Sequence, residues 1–142
     1  MRSILLWLPA VGLLACSTQK TGPSLEGRDA WARPADSAGT TAVYLRIVNH
    51  DSTTALLTSE SSSVAESVSL HETMAMSGMI HMMPLDSAQA IAPGDSLTLK
   101  QGAKHLMVSG LKRKLVIGDS LPVDLTFKDG RVVHVTATVR AP

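Results

Sequence analysis

Apolar residues recur at every second position through the last stretch of this chain. Val123, Leu125 and Phe127 alternate with Asp124, Thr126 and Lys128, and Val133, Val135, Ala137 and Val139 alternate with His134, Thr136 and Thr138. Successive side chains of an extended chain point to opposite faces, so this alternation gathers the apolar groups on one side of a strand. Asp129-Gly130 lies between the two runs, and Asp-Gly is a strong signal for a tight hairpin turn. The pattern predicts paired strands over 122–128 and 131–140. It also appears upstream. Thr40–Asn49 is rich in β-branched residues, with Val43, Leu45 and Ile47 on one face. A strand over 64–71 turns Val68 and Leu70 inward, one over 96–100 aligns Leu97 and Leu99, and one over 105–110 buries Leu106 and Val108. Turn signals recur at 49–52, 93–95, 101–102 and 118–119, and no long segment keeps a helical period. A single all-β domain, a sandwich or a barrel, is the expectation.

The N-terminus is of another kind. Residues 1–16 read MRSILLWLPAVGLLAC, with one positive charge at Arg2 and an apolar run from Ile4 to Ala15. The run is too short to span a bilayer and has the layout of a secretory signal peptide. Its end, Leu13-Leu14-Ala15-Cys16, resembles a bacterial lipobox, which implies cleavage before Cys16 and lipid attachment to its sulfur. The expected organisation is a lipoprotein signal peptide at 1–15, a lipid-anchored flexible tether at 16–27 and a folded domain at 28–142. An anchored, extracytoplasmic protein on a bacterial membrane follows. Cys16 is the only cysteine, so the domain beyond it has no disulfide and no thiolate ligand.

Net charge excludes one class of partner. Setting aside Arg2, twelve Lys and Arg face twelve Asp and Glu, and aromatics make up 3% of the chain. There is no basic block and no stacking surface for nucleic acid.

The chemistry concentrates elsewhere. Met74, Met76, Met79, Met82 and Met83 account for five of the seven methionines; His71 and His81 lie among them, and His105 and Met107 follow downstream. Thioether plus imidazole is the donor set that soft, monovalent copper prefers. On a strand, His105 and Met107 share the face opposite Leu106 and Val108, so both can reach one ion. His71 is expected at the rim, where its strand ends. Met82 follows a Met-rich connection over 72–78 that reads as a flexible loop. Met74, Met76 and Met79 serve there either as adaptable packing residues or as a secondary, weaker copper site or docking surface, with His81 and Met83 as accessory residues. His50, in a turn, and His134, on a polar face, read as structural or exposed.

Other classes fit less well. A blue-copper electron carrier needs a cysteine thiolate. Zinc sites favour Cys, His and carboxylate over methionine. No G-x-S-x-G or H-E-x-x-H motif is present, so no enzyme is expected. A copper buffer or resistance protein without a dedicated acceptor remains as the alternative to a carrier.

The spacing of these donors resembles that of the bacterial periplasmic copper chaperones of the copper-A accessory type. That family carries a His, ten residues, a Met, about twenty-one residues, then His-x-Met. Here ten residues (72–81) separate His71 from Met82, twenty-two (83–104) separate Met82 from His105, and Met107 completes the motif. Counting from Met83 restores twenty-one but lengthens the first gap to eleven. Met82 is preferred because one residue separates it from Pro84, as in the family. Asp29–Pro34 and Ala42–Asn49, and then Gly110-Leu111-Lys112 with Gly118-Asp119 and Leu125-Thr126-Phe127, resemble further stretches of the family, so the likeness covers nearly the whole domain. It implies a cupredoxin-like Greek-key β-sandwich that binds Cu(I) through His71, Met82, His105 and Met107. It further implies delivery toward the copper A centre of cytochrome c oxidase, with the apo copper A domain or a second, thiol-bearing chaperone as partner, and a monomeric carrier.

Overall fold

The computed structural model describes residues 22–142, so the expected signal peptide and Cys16 lie outside the described residues. Ten strands follow one another: β1 (Leu25–Ala32), β2 (Thr40–Asn49), β3 (Ala55–Ser61), β4 (Ala65–Met76), β5 (Met79–Pro84), β6 (Gln89–Ile91), β7 (Ser96–Leu99), β8 (Lys104–Leu111), β9 (Ser120–Phe127) and β10 (Val132–Val139). There is no helix among the described residues. The strands pair in the order β5-β4-β8-β2-β1-β10-β9-β3-β6, with β7 also on β2. Every pairing is antiparallel except β1 with β10. The ribbon curls until β3 lies against β4, closing a two-layered, cupredoxin-like sandwich around one core.

The alternation read from sequence builds that core. Val123, Leu125 and Phe127 of β9 and Val135, Ala137 and Val139 of β10 are buried, as are Val43, Leu45 and Ile47 of β2 and Leu106 and Val108 of β8. Burying such side chains contributes about 1.5–3 kcal/mol each. The β9–β10 turn forms at Asp129-Gly130, with Gly130 at φ 88°, where a side chain would be strained. One buried polar group staples a loop to the core. Asn49 donates from Nδ2 to the carbonyls of Thr53 (2.8 Å) and Ile91 (2.9 Å) and accepts from the Asp51 amide (3.0 Å).

Two expectations change. The domain starts inside the segment read as tether, because Leu25 is buried and pairs with Asn49. Gly27, apparently a linker glycine, is a strand residue whose missing Cβ makes room for the Val135 side chain. The second change concerns the Met-rich connection. β4 runs on past His71 to Met76, and β5 returns beside it, so 72–84 is a hairpin and not a flexible loop. Its turn residues, Ser77 and Gly78, have φ 52° and 76°, positive at both positions as in the type I′ turns that suit two-residue hairpins.

Candidate metal centre

Strand register decides which donors meet. Residues directly opposite in an antiparallel pair share a face, with Cβ atoms about 4.5–5.5 Å apart. His71 on β4 is opposite His105 on β8, and Ser69 is opposite Met107. On the other edge of β4, Thr73 is opposite Met82 of β5 and His71 is opposite Pro84. His71 and Thr73 alternate onto the same side. Four of the expected donors, His71, Met82, His105 and Met107, therefore lie on one face of three neighbouring strands. Met82, His105 and Met107 line a common surface hollow with Thr73, Tyr44 and Ala42. The His71 and His105 rings are 6.1 Å apart, centroid to centroid, at 33°.

His71 is not at a strand end, as expected, but in mid-strand, flanked by β8 and β5. Continuous pairing on both edges fixes its backbone more firmly than a rim would. Met83 falls on the opposite face, across from Glu72; His81 is across from Met74 and Met79 across from Met76, all on that same far face. The five accessory residues thus lie on the side of the hairpin away from His71 and His105.

The two imidazoles are held differently. His105 is buried, and its Nδ1–H donates to the Ala103 carbonyl at 2.9 Å, leaving the Nε2 lone pair for a ligand. The same carbonyl accepts the Thr73 amide at 3.2 Å, so the β4–β8 ladder and the ring orientation are tied together. Hydrogen bonds of this kind fix the tautomer of a metal-ligating histidine. Tyr44 covers His105, with ring centroids 6.3 Å apart, and is itself covered by Trp31 at 4.6 Å. His71 is half-buried, and its Nε2 lies 2.9 Å from Ser69 Oγ. Burial lowers its pKa below the ordinary 6.5, with the neighbouring His105 adding to the effect and Asp86 opposing it. A neutral ring is the form that binds metal. Met107 is partly covered, whereas Met82 is 58% exposed.

Ser69, Ala103 and Tyr44 had no role in the sequence reading. Ser69 could have been found, because it is two residues before His71 on the same strand face. Ala103 stands in the same relation to His105, two residues before it; Tyr44 depends on pairing across the sheet. His50 and His134 stay apart from the centre, His50 against Glu26 (3.2 Å) and His134 against Asp124 (2.6 Å). Among the described residues, no group of three or more His, Cys, Asp and Glu converges.

Solved structures share this architecture. The copper-bound PCuAC domain from PmoF2 superposes with a TM-score of 0.67 at 21% identity, over 84% of this chain and 95% of that one. The solution structure of apo-DR1885 from Deinococcus radiodurans gives 0.59 at 26% identity, over 100% and 97%. Its CuI form gives 0.58 at 30%, over 79% and 76%. The fold is that of the copper-A accessory chaperone domains. Residues 25–139 match the family described as "Putative lipoprotein LpqE-like", and the chain belongs to this LpqE-like branch of the copper-A accessory chaperone family. A curated relative, "Putative lipoprotein Lxx21020" of Leifsonia xyli subsp. xyli (strain CTCB07), is 35% identical over 130 residues, 89% of this chain and 78% of that protein.

Proposed function

We propose that this protein is an extracytoplasmic carrier of monovalent copper, anchored by lipid on Cys16, and that it is not an enzyme. Copper is its cargo. His71, Met82, His105 and Met107 hold the ion, and Met82 rather than Met83 is the third-strand donor. The observation that carries the reading is the register of β4 with β8 and β5, which gathers two imidazoles and two thioethers on one face. The copper-bound relatives support it. Neutral thioethers bind a soft ion without the hold of a thiolate. An exposed Met82 gives an incoming ligand a point of attack before the other donors let go. The acceptor is the apo copper A domain of cytochrome c oxidase, or a thiol-bearing chaperone that serves it.

Copper K-edge X-ray absorption on the Cu(I)-loaded protein tests the site. Sulfur and nitrogen scatterers together in a one-to-one complex are expected, and a shell of oxygen and nitrogen alone would sink the assignment. Transfer to an apo copper A domain then separates carrier from buffer. The exposed methionines of the hairpin favour buffering as the second reading, and failure to transfer would select it.

A further inference from the structure

We propose that the far face of the β4–β5 hairpin is a second, separate site for a soft monovalent cation, held by Met74, His81 and Met83. Copper in its reduced state is the cation this donor set suits. Three rungs of the hairpin present side chains on that face: Glu72 with Met83, Met74 with His81, and Met76 with Met79. Opposed Cβ atoms are about 4.5–5.5 Å apart and diagonal neighbours about 7–8 Å. A methionine side chain has three rotatable bonds, so Met74 and Met83 can both bring sulfur to an ion on the His81 ring.

The face has no structural use for these groups. Met74 is 42% exposed and Met83 46% exposed. The hairpin is the end of the strand order, with nothing paired beyond β5 among the described residues. Methionine is an adaptable core filler, but there is no core here to fill. A partner-binding methionine surface is the competing use of such a patch. An imidazole between two thioethers favours the ion, because it places a polar ligand where an apolar contact would otherwise sit. Glu72 adds a carboxylate at the base of the ladder, and Lys104 of β8, opposite Glu72, limits how much negative charge collects there. Met76 and Met79, one rung nearer the tip, offer further thioethers beside the same ring. The two sites lie back to back across one ribbon, so filling one does not require filling the other. The inference is independent of the assignment of Met82 and Met107.

The test is a titration of the purified protein, labelled with carbon-13 at the methionine methyl groups, with Ag(I) as a redox-inert substitute for Cu(I). Two equivalents are expected to bind. One moves the Met82 and Met107 methyl signals, and the other moves Met74 and Met83 together with the His81 ring. The Met74→Leu, Met83→Leu double variant, altered only at exposed positions, is expected to lose one equivalent and to keep the shifts of Met82 and Met107. Stationary Met74 and Met83 signals through two equivalents would overturn the proposal and leave the patch to a protein partner. Movement of Met74 and Met83 with Met82 and Met107 still would uphold it while removing the carrier site proposed above.

Discussion

Two hairpins of this sheet are used in opposite ways. β4–β5 turns on the two residues Ser77-Gly78, both at positive φ, and β9–β10 turns through Lys128-Asp129-Gly130, with Gly130 alone at positive φ. In β9–β10, one face is apolar and buried, and the other is polar. In β4–β5, the apolar residues fall on both faces, and from Met74 to Pro84 every residue is exposed. The first hairpin is held by what it buries. The second is held by the inner half of β4, which pairs with β8 from Ala65 to Glu72, and by its own ladder. A sheet can thus extend a ribbon beyond its core and use the strand geometry to sort donors by face rather than to hide them.

Core truncation is the harshest way to break this contrast. Leu125→Ala in β9 is expected to cost about 2–5 kcal/mol of stability, read as a lowered midpoint in chemical denaturation. Met79→Ala on the ribbon is expected to stay within about 0.5 kcal/mol. Equal losses would mean that the ribbon packs on something. Next in size is a change of affinity without a change of fold. Met107→Ala is expected to weaken Cu(I) binding by orders of magnitude in competition with a chelator, and Met83→Leu to leave the tighter copper step unmoved. A Met83→Leu variant that lost the tighter step would reverse the facing of the two adjacent methionines.

A smaller lesion can be made in both turns. Gly130→Ala and Gly78→Ala each put a Cβ on a residue with positive φ, at about 1 kcal/mol. At Gly130 the loss is expected in global unfolding. At Gly78 it is expected as faster amide hydrogen exchange confined to β5 and the end of β4, because the body does not depend on that turn. The smallest effect is electrostatic. His71 titrates below 6.5 when folded, chiefly through burial. Below that pH the unfolded chain takes up this proton first, so the contribution is present above 6.5 and is lost as pH falls through the folded value. Proton NMR of the apo protein is expected to place the His71 midpoint under 6.5, and one above it would remove burial as the leading cause.

Legibility from sequence followed the burial. β2 was readable to the residue, and β8, β9 and β10 nearly so, because each carries a clean alternation that one core enforces. β3 and β6 were missed, since short strands with mixed polar faces differ little from loops. The stretch 72–78 was misread as a loop because Met74 and Met76, although they alternate, are exposed and lie beyond the core that makes an alternation recognisable. The proposed donors were legible as residue types at a recognisable spacing. The cover supplied by Tyr44 was not, since Tyr44 lies far from His105 in the chain and meets it only across the sheet.

Alternation by itself determined that this chain folds as an all-β domain, and composition supplied the imidazole and thioether groups from which the proposed copper site is built. Only the tertiary structure decided which donors meet. A strand's side chains alternate with a period of two, so a slip of one residue in the pairing of β4 with β5 would exchange Met82 for Met83 on the His71 face. The β4–β5 register is set locally, by the two-residue Ser77-Gly78 turn, whereas the β4–β8 register that puts His71 opposite His105 joins segments far apart in sequence, and no local pattern encodes it.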